Sequence, residues 1–240
     1  MAKHTVVSAD SHLDLGYLPP DTFTSRVSTR WQDKVPRVKA TPDGALWVAG
    51  KDGEHKLGGL GGGVPKRRNL RNLRMAAVGF WDDARRPYDT DLRLADQEMD
   101  CVDAEVVYGI TFLAEMIQEQ DLAAVSINAY NEFVAHWAKA APDRLCPQGL
   151  LPGNTVEAAV DEVQHIARLG LRGAQWDYIV TSKPIWHPYW EPLWSAAADH
   201  NIILSIHAPM FGTTTVGKLP GLDSHPASEA AWLAVIPLQL

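Results

Sequence analysis

Beyond residue 94 the sequence alternates between helical periodicity and short apolar runs, and this alternation limits the possible folds more than any other feature. The apolar runs fall at 104–110, 145–150, 171–176 and 202–206, and a β-branched run at 5–9 precedes them. They are apolar nearly throughout, the pattern of strands covered on both faces, as in a parallel sheet. Between them, over 155–169, Val156, Ala159, Val160, Val163, Ile166 and Ala167 recur at helical spacing and form one stripe. Asn154 is the expected cap of that helix, with Glu157 three residues on, and Gly170 the expected stop. Further helices are predicted over 94–102, over 121–140 before Pro142, and over 190–200 after Pro188. Helix and strand in strict alternation imply right-handed βαβ units and an α/β fold with a parallel sheet.

Residues 17–92 break the rhythm with Pro19, Pro20, Pro36, Pro42, Pro65 and Pro87 and a glycine-rich run at 58–63. Turn signals at Pro42-Asp43-Gly44 and Lys51-Asp52-Gly53 flank 45–48, so a small β-hairpin is expected inside an insertion after the first strand. An eight-stranded barrel takes about 250 residues, roughly 31 per βα unit. Without the insertion, this chain has room for about five units, matching its five strand candidates. It is therefore either a five-stranded open sheet or part of a (β/α)8 TIM barrel. The final residues, 229–240, are apolar without a polar tail, which favours one partial barrel domain over 1–240, truncated at its C-terminus.

Composition narrows the function classes. The net charge is −7, with 22 basic and 29 acidic residues, and no basic stripe suggests a nucleic-acid partner. No apolar run approaches the roughly 18 residues of a membrane helix, and the N-terminus has no secretory h-region. Cys101 and Cys146 lie far apart in the sequence, so a reducing, cytoplasmic setting is expected. Lys66 follows Val64-Pro65, so the glycine run is not a P-loop, and neither HExxH nor GxSxG occurs. The basic cluster of Lys66, Arg67, Arg68, Arg71 and Arg74 reads as a solvated face or an oligomer contact, with an anionic substrate as the alternative.

Candidate chemistry gathers at strand ends. Asp10-Ser11-His12 follows the first strand candidate and His207 follows the fifth. Residues i and i+2 of a strand share a side, and a carboxylate with a neutral imidazole is an ordinary ligand set for zinc and its neighbours. Read singly, each is equally a turn or surface residue; together, on the rim where parallel α/β folds place their chemistry, they point to a metal site. Trp176, before Asp177 at the end of the fourth strand, reads either as an apolar wall for a flat substrate or as packing. His187 reads as a helix cap or a surface residue, and His225, in a loop, as a lesser rim candidate.

These segments resemble the amidohydrolase-related family that includes aminocarboxymuconate-semialdehyde decarboxylase and γ-resorcylate decarboxylase. The opening 8–12 (SADSH) is similar to its strand-one metal motif, and 91–107 (DLRLADQEMDCVDAEVV) to its RL..MD..G.D..V segment. The stretches 142–152, 169–174 with 189–194, and 203–209 (ILSIHAP) resemble its later units in order and spacing. The resemblance implies a distorted TIM barrel with Asp10, His12 and His207 as metal ligands. It implies Zn2+ as the cofactor, with Mn2+ as the alternative. The family's acid/base histidine and its last aspartate ligand would fall beyond residue 240. Cys101 stands where the family often has glycine. The implied activity is that of a metal-dependent hydrolase or decarboxylase acting on a small cyclic or unsaturated carboxylic compound. Its partner is a small-molecule substrate, not nucleic acid or membrane, and the full-length form is expected to be a homodimer. The rival reading is a non-catalytic open-sheet α/β binding module or an inactive fragment.

Overall fold

The structure, a computed structural model, describes residues 6–41, 44–59, 87–110, 113–117, 119–176 and 181–206. Its strands are β1 (Val7–His12), β2 (Arg37–Thr41), β3 (Gly44–Ala49), β4 (His55–Gly59), β5 (Ala104–Tyr108), β6 (Leu145–Leu151), β7 (Gly173–Trp176) and β8 (Ile203–Ser205). Its helices are α1 (Thr29–Gln32), α2 (Thr90–Met99), α3 (Leu113–Met116), α4 (Gln120–Ala138), α5 (Val156–Leu169) and α6 (Glu191–Asp199). Residues 207–240, including His207 and His225, lie outside the described residues, as do Asp177 and the basic cluster at 66–74.

The main sheet is parallel and runs β1-β5-β6-β7-β8. Apart from the inserted strands, spatial order follows chain order. A doubly wound sheet reverses its order at a switch point. Among the described strands nothing reverses, so right-handed crossovers put successive helices on one face, the winding of a barrel wall.

Two glycines show which register faces which way. A Cβ on Gly149 would come within 2.6 Å of Ile166 on α5 and 3.3 Å of Asn131 on α4, so this register of β6 faces the helices. A Cβ on Gly173 would come within 2.0 Å of the Gln148 side chain, on the opposite face. Strand pairing carries this alternation across the sheet. Gly149 pairs with Ala174 and Leu151 with Trp176, on the helix side, whereas Gln148, Gln175 and Ser205 share the inner face with Tyr108 and His12.

The insertion holds more than the expected hairpin. A third strand, β2, joins β3 and β4 in an antiparallel sheet. Its sequence, Arg37-Val-Lys-Ala-Thr41, is too polar to stand out as a strand. Leu13, Phe23, Val35, Trp47 and Leu57 join the same buried core as the barrel-wall residues. Trp47 packs edge-on against Phe23 at 5.9 Å, and the Arg26 guanidinium sits 5.1 Å from the Phe133 ring of α4.

Helix ends follow the caps. Thr155, not Asn154, caps α5: its hydroxyl accepts from the Ala158 amide at 3.1 Å. The helix starts one residue later than the Asn154–Glu157 pairing would require. Gly170 closes it in the left-handed region at φ 83°, as the sequence indicates. Cys101 lies beyond α2 at φ 56° rather than within a helix. A side chain in that conformation costs roughly 1–2 kcal/mol, which explains why glycine suits the position. His187 caps the short 3-10 turn Pro188–Trp190 by accepting from the Tyr189 amide at 3.1 Å.

A buried ion pair ties α2 to β1 and β5. Arg93 Nε and Nη2 donate to the two carboxylate oxygens of Glu105 at 3.3 and 2.5 Å, and Gln97 donates to the same carboxylate. Arg93 Nη1 donates to the carbonyls of His12 (3.2 Å) and Pro87 (2.9 Å). Burial pushes the Glu105 carboxyl up, but Arg93, Gln97 and Ser11 together hold it below the usual carboxylate range. Glu105→Gln leaves a buried guanidinium without its counter-charge, and removing one partner of such a pair typically costs about 3–5 kcal/mol. Urea denaturation near pH 7 should show a loss of that order. Because the folded pKa is depressed, this stabilisation is present above the ordinary carboxylate range. It fades as pH falls through the lowered pKa, a component the variant lacks. Equal stability at neutral pH would contradict this role.

Candidate metal centre

Strand β1 runs through the Asp10-Ser11-His12 motif instead of ending before it. Its pairing with β5 slips between Ser8 and Ser11. The bulge puts both serines on the Glu105 side, with their hydroxyls 2.8 Å apart, and re-aims the chain between them. Asp10 and His12 meet on the inner face: Asp10 Oδ1 is 3.3 Å from His12 Nε2. On the far side of the ring, Asp14 Oδ1 is 3.2 Å from Nδ1. Tyr108 flanks the imidazole, with ring centroids 6.3 Å apart. The hydrogen bond to Asp14 raises the imidazole pKa; burial opposes it, and the charges of Asp14 and Asp10 reinforce it.

This donor set fits a divalent cation. Two ligands with bonds of about 2.0–2.2 Å lie roughly 3–3.6 Å apart, the range in which Asp10 Oδ1 and His12 Nε2 already sit. A ligating histidine commonly gives its other ring N–H to a carboxylate, which fixes tautomer and orientation; Asp14 stands in that place. The backbone beneath is fixed by Arg93 on the His12 carbonyl. His207, the third expected ligand, lies outside the described residues.

Trp176 does not line this site. It is 1% exposed, on the helix face of β7, and packs edge-on against Trp190 at 4.8 Å and Trp194 at 5.4 Å. A one-residue step along a strand exchanges faces, so the expected substrate wall corresponds to a packing position, and its neighbour Gln175 takes the inner face. Asp14 and Tyr108 lie beside His12, and Gln148 and Gln175 share its face of the sheet; the sequence reading singles out none of the four. The signals were present: Asp14 is two residues past His12, and Gln148 and Gln175 are polar residues within otherwise apolar strands.

The chain belongs to the amidohydrolase family, whose model matches residues 74–234. In fold it is similar to an amidohydrolase from Mycobacterium avium subsp. paratuberculosis K-10, with 13% identity and a TM-score of 0.66 over 96% of this chain and 64% of that one. It is also similar to 2,6-dihydroxybenzoate decarboxylase from Rhizobium, with 15% identity and a TM-score of 0.51 over 95% of this chain and 55% of that one. It therefore spans less than two thirds of either structure. Among curated proteins, none matches the chain.

Asp14→Asn should weaken Zn2+ and Mn2+ binding at Asp10 and His12 about 10–100-fold, the usual loss when the partner of a ligating histidine is removed. Isothermal titration of the metal-stripped chain reads this directly. Unchanged affinity would mean that Asp14 does not orient the ring.

Proposed function

We propose that this chain is part of a metal-dependent hydrolase or decarboxylase acting on a small cyclic or unsaturated carboxylic compound. The observation that carries the reading is the Asp10–His12 pair, spaced for one cation and backed by Asp14. His207, outside the described residues, is proposed as the third ligand on the likeness of 203–209 to the family's strand-five segment.

A divalent cation bound there supplies Lewis acidity to a substrate oxygen and lowers the pKa of water. The chain's own residues set the rest. Asp14 accepts from Nδ1 and Asp10 stands 3.3 Å from Nε2, so a cation bound beside Asp10 would take the place of the Nε2 proton while Nδ1 keeps its own. Tyr108, Gln148 and Gln175 give the inner face polar groups that suit an oxygen-rich substrate better than an aliphatic one. Zn2+ is the proposed metal because two imidazoles and one carboxylate suit it; Mn2+ is compatible with the same donors. Decarboxylation also needs a proton delivered to the carbon that loses CO2, a general-acid task typically worth 10²–10⁴-fold. The reading assigns that proton to a histidine beyond residue 240. A cytoplasmic location is consistent with both cysteines being free, and among the described residues no helix is long and apolar enough to cross a membrane. A homodimeric full-length form completes the proposal.

The test compares residues 1–240 with the longer reading frame, each loaded with Zn2+ or Mn2+. CO2 release is followed on hydroxylated aromatic carboxylates, starting with 2,6-dihydroxybenzoate, and hydrolysis on ester and amide panels. Metal-dependent turnover by the longer chain only, abolished by His12→Ala or by chelation, is the expected result. Which panel turns over decides between decarboxylase and hydrolase. Turnover that survives both treatments would overturn the metal-dependent reading.

A further inference from the structure

A second cluster lies away from the β1 motif. Glu54, His55 and Glu119 each offer one ligand atom, and these atoms all lie within 4.8 Å of one another. Sequence does not bring them together. Glu54 immediately precedes β4 of the inserted sheet and His55 opens it, whereas Glu119 is the N-cap residue of α4 in the barrel wall. The packing of α3 against β4 brings the two parts into contact.

Each side chain is prepared for a cation in its own way. The Glu54 carboxylate accepts from the Asp52 amide at 2.9 Å. It lies so close to Gly50 that a Cβ there would fall within 2.2 Å of its carboxyl carbon. Backbone hydrogen bonds from Lys51 and from its own amide add to this, so the carboxylate is held in place. Glu119 occupies a helix N-cap yet makes no side-chain cap bond, so its carboxylate is not committed to the helix start. His55 supplies an independent observation: its Nε2 is buried and has no hydrogen-bond partner among the described residues. Buried polar atoms left unsatisfied are uncommon and costly. Here the unsatisfied atom belongs to an imidazole set among two carboxylates.

We propose that Glu54, His55 and Glu119 form a second divalent-cation site, separate from Asp10 and His12, that staples the inserted sheet to the barrel wall. One nitrogen and two carboxylate donors suit Zn2+, with water as the fourth ligand on the exposed side. The role is structural, because the ligands join two parts of the fold. The ion also offsets the repulsion between two carboxylates held close together.

The test titrates the metal-stripped chain with Zn2+ by calorimetry, while hydrogen exchange is followed over 54–59 and 119–124. The variants are Glu119→Gln, His55→Gln and the double variant Asp10→Asn/His12→Gln. Wild type and the double variant should both show Zn2+-dependent protection of the two segments. Glu119→Gln and His55→Gln should lose that protection and weaken this binding event at least about 100-fold, beyond the loss typical of an outer-shell partner. Glu119 is exposed, so Glu119→Gln keeps the test decisive if His55→Gln fails to fold. Protection that persists in Glu119→Gln would overturn the proposal. So would the absence of Zn2+-dependent protection in wild type, which would leave the cluster as an ion pair of a protonated His55 with its two glutamates.

Discussion

The buried pair of Arg93 and Glu105 is the interaction on which the rest of the structure depends. A guanidinium 9% exposed and a carboxylate 6% exposed are costly to desolvate, and they persist because almost every donor and acceptor is used. The same arginine donates to the His12 carbonyl, and the same glutamate reaches Ser11. One ion pair thus fixes α2 against β5 and pins the backbone of the metal motif. The 5.4 Å approach of Arg93 to the Trp137 ring extends the tie to α4. The motif's geometry is set from beneath by groups on the helix side of the sheet.

The two faces of the sheet divide the work. The helix face carries shape: Gly149 admits Ile166, and Trp176 packs between Trp190 and Trp194. Asn131 of α4 grips β6 through both the amide and the carbonyl of Leu150, at 2.7 and 2.9 Å, and its amide also donates to the buried Glu162. The inner face carries polar side chains, with Asp10, His12, Tyr108, Gln148 and Gln175. The bulge in β1 makes the division sharp, because it places Ser8 and Ser11 on the same side and so turns Asp10 inward with His12.

Much of this was legible in the sequence because it rests on local rules. Strand and helix alternation gave the parallel sheet and its five strands, and Gly170 and His187 act as the sequence suggests. The D-x-H spacing placed Asp10 and His12 side by side, as the structure has them. What escaped depends on tertiary context. Trp176 was read from its place at a strand end, but only the pairing register with Leu151 shows that it faces the helices. β2 is held by its neighbour β3, not by its own composition. Asn154 looked like a cap, but Thr155 holds the position from which a side chain reaches the Ala158 amide.

The central claim is that His12 is a metal ligand through Nε2, with Nδ1 bound to Asp14. Nitrogen-15 NMR of the imidazoles during Zn2+ titration tests it most directly. The account predicts that His12 Nε2 moves to the shift of a metal-bound nitrogen while Nδ1 stays protonated. Zn2+ binding that leaves both His12 nitrogens unchanged would contradict it.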